Sequence, residues 1–112
     1  MSPLDTAADE VALRMALDAA DDLQRTGWTT HAWCAMWGVI AGLFTSGRAE
    51  EAALVLGSCE ASGVAQLAYQ HVPDALIADV PELARYRRLG RQLHFDDVLA
   101  IATGQRQPPL LP

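Results

Sequence analysis

The chain reads as all-α: one domain over residues 1–104, built as an antiparallel array of four to six helices, with 105–112 as a flexible proline-rich tail. Three observations predict this. Apolar residues recur at three- and four-residue spacing through most of the chain, the signature of amphipathic helices. Glycines stand where those stretches stop, at positions 27, 47, 63, 90 and 104. No stretch alternates apolar and polar residues over five positions, so no strand is expected. A length of 112 residues suits one core and is too short for two. With 51% of residues hydrophobic, the chain can bury enough apolar surface to fold.

The first helix is expected over residues 5–26. Asp5 or Thr6 caps it, and Asp9 and Glu10 lie near its first turn, where the helix dipole favours acids. Val11, Leu13, Met15, Ala16, Leu17, Ala20 and Leu23 make a broad apolar face, and Gly27 stops the helix. The second helix is expected over 29–46, with Thr29 or Thr30 as N-cap and Gly47 as stop. Its body, Trp28 to Phe44, holds all three tryptophans and no charge beyond a possible one on His31. A helix apolar nearly all round is a buried centre or a membrane span. Trp28–Phe44 is at the short limit for crossing hydrocarbon, includes Thr29, Thr30 and His31, and has no Lys or Arg directly flanking it. It is therefore read as the central core helix, with Gly38 and Gly42 marking the closest approach of a neighbour.

The third helix follows at once, from Arg48 to Ser62, so the second and third form an antiparallel hairpin. Residues 64–70 are a short fourth helix or a ragged extension. His71-Val72-Pro73 breaks the pattern, because the residue before proline avoids the helical region. Asp74 can cap a helix from Ala75, and the stretch 74–80 stays open. Pro81 to Leu89 is helical with a first-turn proline, and Gly90 ends it. Residues 93–102 form a last short helix, stopped by Gly104.

Charge and composition exclude several function classes. Lys and Asn are absent, so neither a Schiff base nor a P-loop can be built. Residues 1–83 hold twelve acids and three Arg, a balance of −9; residues 84–112 hold five Arg and two Asp, a balance of +3, giving the net −6. An acidic chain is repelled by nucleic acid. The local exception is Arg85, Arg87, Arg88 and Arg91, interleaved with Tyr86, a pattern able to grip phosphates or stack on bases. In an acidic protein such a cluster more often pairs with the chain's own carboxylates. Two cysteines do not make a disulfide framework, and the N-terminus shows no basic-then-apolar secretory pattern. A reducing cytoplasm is the expected setting.

Two segments carry a resemblance. Ser46-Gly47-Arg48-Ala49-Glu50-Glu51-Ala52-Ala53-Leu54-Val55-Leu56-Gly57 is similar to an element of tetratricopeptide-like repeats. In particular it resembles the last repeat of large actinobacterial signalling ATPases, the LuxR-type and related transcriptional regulators, shared by some adenylate cyclases. Leu89 to Ala102 resembles the closing helix of the same proteins, and the resemblance covers roughly residues 25–104. The chain departs from that pattern at His94, where the family caps with Ser or Thr, and at Asp96-Asp97, where it has two Glu. The ATPase and the DNA-binding helix-turn-helix do not fit in this chain, so no catalytic residue carries over. The resemblance implies a helical solenoid piece, stand-alone or truncated, whose uncovered face takes a partner.

His31 and Cys34 lie one turn apart and can share a metal with Cys59. The hairpin register also places Cys34 and Cys59 at similar heights, so the plainer reading is two buried thiols, neighbours in the core. Asp18, Asp21 and Asp22 are a possible acid–base or Mg²⁺ group, or simply a wet helix face. Trp33, Trp37, Tyr69 and His71 are candidate walls of a small-molecule effector pocket. The sequence shows no nucleophile–base spacing, metal motif or phosphate loop, so no enzyme, metal or cofactor is expected. The expected function is a non-catalytic interaction or scaffold module that self-associates or binds a protein partner through the first helix. The alternative is an effector sensor.

Overall fold

A computed structural model of the chain describes residues 3–64, 72–78 and 80–107, with side chains described from residue 10 onward. Among the described residues there are six helices and no strand. They are α1 (Pro3–Arg25), α2 (Thr29–Thr45), α3 (Ala49–Ser62), α4 (Asp74–Ile77), α5 (Pro81–Gly90) and α6 (Phe95–Ala102). The stretch 65–70, read as a short helix or a ragged extension, lies outside the described residues, as does the tail from 108.

The turns follow from glycine chemistry. After α1, Gly27 has φ +84° and the Trp28 N–H donates to Leu23 O at 2.9 Å. After α2, Gly47 has φ +81° and the Arg48 N–H donates to Leu43 O, also at 2.9 Å. Both are the left-handed closure in which a residue past the end satisfies a carbonyl five residues back, and a Cβ would strain it. Each turn is short enough to force an antiparallel return, so α1–α2 and α2–α3 are hairpins.

Boundaries shift where caps differ from expectation. The α1 helix starts at Pro3, since a first-turn proline gives up an N–H that has no partner there anyway. The N-cap of α2 is Trp28, with no side-chain cap bond, and Thr29 and Thr30 lie inside the first turn. The α4 helix begins at Asp74 itself after Pro73. The α6 helix begins at Phe95, behind His94 in an extended conformation.

The larger correction concerns the centre. Ala52 to Cys59 are all buried, eight residues in succession, so it is α3 that is covered on every side. It packs against α2 and α5, with α4 and α6 also touching it. The α2 helix instead has a wet side: His31, Cys34, Gly38 and Thr45 are exposed. Size explains the exchange. The bulky residues of α2 (Met36, Trp37, Ile40, Leu43) fill one side of the core, whereas the small residues of α3 let helices close in from both sides.

The closest helix approach is accordingly not at Gly38 or Gly42. A Cβ on Gly57 would lie 1.8 Å from Arg87 O, and one on Gly90 would lie 1.9 Å from Leu54 O. Two glycines, one on each helix, thus bring α3 and α5 into backbone contact. The Ser58 hydroxyl, buried in the same crossing, donates to Gly90 O. Gly90 is the last residue of α5, where the helix was expected to end, and it also serves as a contact surface. A Cβ on Gly42 would meet only Leu13 side-chain atoms, at 3.2–3.7 Å, and one on Gly38 would meet nothing within 4 Å.

The last helix closes the array. Arg48 donates from Nη2 to Ile101 O at 3.1 Å and Ala102 O at 3.0 Å while pairing with Glu51, so a side chain from the α2–α3 turn caps the end of α6. Phe95, Val98 and Ile101 of α6 enter the common core, and α6 also touches α1. The radius of gyration, 13.1 Å, is that of a compact domain of this length. No helix among the described residues is long and apolar enough to cross a membrane.

Candidate functional site

Two surfaces collect the chemistry, one along the bodies of two helices and one where helix ends meet. The first lies along α1 and α2. Val11 and Met15 of α1 are 59% and 67% exposed although both are apolar. Beside them a cleft of about 270 Å³ is lined by Ala12, Leu13, Gly38, Ala41, Gly42 and Thr45. None of these residues carries a charge. The open space over Gly38 leaves a groove at backbone level between α1 and α2, and Val11 and Met15 are exposed on the same α1 helix.

The second surface is where the start of α2, the end of α3 and the turn before α6 meet. Thr29, Thr30, Trp33, Ala61, Ser62, Val64, Arg91, Leu93, His94 and Phe95 line a cleft of about 520 Å³. The rings of Trp33 and Phe95 meet edge to face, with centroids 5.0 Å apart at 89°. Such a pair holds both rings in place beyond simple burial. Val64 is fixed from behind, because the Trp37 indole N–H donates to its carbonyl at 2.8 Å.

The candidate pocket residues therefore separate. Trp33 lines the cleft. Trp37 is 6% exposed and sits in the core with its N–H engaged, so it supports a wall without forming one. Tyr69 and His71 lie outside the described residues. Phe95 and His94 are not legible from the sequence as cleft residues: locally Phe95 reads as part of a short helix and His94 as its cap position.

The arginine cluster also divides. Arg87 grips Glu60 of α3 bidentately, with Nε and Nη2 both at 2.6 Å from carboxylate oxygens. Arg91 stands 3.7 Å from the same carboxylate, beyond hydrogen-bond length. Arg85 and Arg88 are exposed and make no ion pair among the described residues. The four thus present no single face: one is bound into a helix crossing, one borders the cleft and two point into solvent.

The thiol expectation holds for one cysteine. Cys59 is buried, and burial drives its thiol far above the ordinary range, with Glu60 and Cys34 adding to the effect. Cys34 is thus within electrostatic reach, as the hairpin register requires. It is nonetheless exposed, on the outward side of α2, so the two are not both core residues. His31 is also exposed and packs its ring edge-on against Trp28, centroids 5.1 Å apart. No group of three potential metal ligands comes together among the described residues. Asp18 and Asp22 are exposed, and Asp21 pairs with Arg25 at 2.8 Å, a solvated helix face.

No family model matches the chain, and neither a curated protein nor a solved structure matches it.

Proposed function

We propose that the chain is a non-catalytic, cytoplasmic interaction module, the end unit of a tetratricopeptide-like helical array of the kind found in transcriptional regulators. In this reading it docks a second copy of itself, or another protein chain, through the α1–α2 face. The observation that carries it is the exposure of Val11 and Met15, 59% and 67%, beside the uncharged groove at Gly38 and Ala41. Methionine is favoured at the centre of protein interfaces, and charge is depleted there. The hairpins α1–α2 and α2–α3 and the resemblance at Ser46–Gly57 support the repeat reading.

Light scattering coupled to size exclusion tests this. The expected mass is above the 12.1 kDa of one chain and falls to it in Met15→Glu, which places a charge on the exposed side of α1. A 12.1 kDa species at every concentration, with no shift of α1 or α2 amide resonances on concentration, would overturn self-association.

A second reading is an effector-sensing domain. The observation favouring it is the Trp33–Phe95 cleft, whose volume falls within the range of small-molecule sites.

A further inference from the structure

The cleft between the starts of α2 and α6 and the end of α3 is, we propose, a binding site for a small carboxylate carried on an apolar or aromatic body. This rests on the effector-sensing reading and names its ligand class. It shares none of the residues of the α1–α2 face.

The argument begins with the walls. Trp33, Leu93 and Val64, each partly exposed, supply apolar surface from three separate segments of the chain. Phe95 is 6% exposed and backs the Trp33 ring edge to face from the core, which holds that wall in place. A volume of about 520 Å³ accommodates a ligand of metabolite size.

The polar groups decide the ligand's charge. Arg91 lines the cleft and its side chain is 54% exposed. Its nearest carboxylate, Glu60, already receives two 2.6 Å bonds from Arg87. At 3.7 Å, Arg91 feels that charge without a hydrogen bond to it, so its fork of donors stays available. Guanidinium donors match the two oxygens of a carboxylate bidentately. His94 borders the same cleft and adds a ring nitrogen, and the Thr29 and Thr30 hydroxyls add neutral donors. Among the described residues no Asp or Glu lines the cleft, and the one carboxylate near Arg91, Glu60, is already engaged by Arg87. Apolar walls combined with these donors fit a molecule with an apolar body and an anionic end.

Three tryptophans in distinct settings make the test direct. Trp28 is exposed, Trp37 is in the core and Trp33 lines the cleft. The full chain, labelled with fluorotryptophan, is titrated with phenylacetate and with hexanoate at constant ionic strength and followed by fluorine NMR. Trp33→Phe identifies its resonance. Saturable movement of the Trp33 signal with either carboxylate, while Trp28 and Trp37 stay in place, is expected. Arg91→Gln weakens that binding about tenfold with the other two signals unchanged, which shows that the fold persists. Phenylacetamide binds the unaltered chain about tenfold more weakly than phenylacetate. Equal affinity for acid and amide, or no loss in Arg91→Gln, overturns the carboxylate inference while the effector-sensing reading stands. A Trp33 signal unmoved by both acids and by the amide to ~10 mM overturns both.

Discussion

Gly57 and Gly90 show how single residues set this fold. Each stands where a Cβ would overlap a backbone carbonyl of the opposite helix, at 1.8 and 1.9 Å. A backbone atom cannot turn aside as a side chain can, so α3 and α5 would have to separate. Gly57→Ala or Gly90→Ala should cost about 3 kcal/mol or more, the severe end of overpacking, measured by urea denaturation. Gly38→Ala gives the opposite sign. It adds a methyl in open space and removes glycine's backbone entropy, so the folded chain should gain about 0.5–1 kcal/mol in the same assay. Cys59 supplies a pH prediction. Its folded thiol keeps its proton where the unfolded one loses it, so the native state binds more protons above the ordinary thiol range. Stability should therefore be independent of this group below that range and fall as pH rises beyond it. Cys59→Ala, though less stable overall, should lack that part of the alkaline slope. Cys34 is exposed, so a thiol reagent should modify one cysteine per native chain and the second only after denaturation.

At the scale of elements, two charged contacts join helices that are far apart in sequence. Glu60 on α3 and Arg87 on α5 form a bidentate pair whose side chains are 9% and 25% exposed. Glu60→Gln leaves the guanidinium without its ionic partner in a partly dry crossing and should cost about 2 kcal/mol, read from the denaturation midpoint. Helix periodicity announced α1, α2, α3, α5 and α6 to within two residues at most ends, because amphipathic spacing and terminal glycines are local signals. Cap identity was less legible. Thr29 and Thr30 have the right chemistry for a cap, yet Trp28 takes the position because the closure of α1 at Gly27 fixes where the backbone turns next. The same limit applied to Gly90. A glycine that ends a helix and one that admits a neighbour look alike until the neighbour is known.

Across the whole molecule, α6 touches both α3 and α1, and Arg48 ties its last carbonyls to the α2–α3 turn. Val11 and Met15 of α1 are exposed while residues 52–59 of α3 are buried, which is why the association prediction belongs to Met15 and not to α3. The candidate cleft was half legible. Trp33 could be named as a candidate pocket wall, but Phe95, Arg91 and His94 lie about sixty residues further on and meet it only through packing. The arginine cluster was legible in the same partial way. Pairing with the chain's own carboxylates is the reading the acidic composition favours, and Arg87 pairs with Glu60, but only packing shows that Arg85 and Arg88 point outward.

The stretch Trp28–Phe44 marks where local and tertiary information part. The amino-acid sequence by itself determined the fold class, the three sequential hairpin helices and the glycine turns between them, since these depend on residues within a few positions of one another. Only the tertiary structure decided which helix is central. Hydropathy favoured the tryptophan-rich α2, but the centre of a packed array goes to the helix that neighbours can approach most closely. Gly57, Ser58 and the alanines of α3 allow that approach from both sides, and the large side chains of α2 do not.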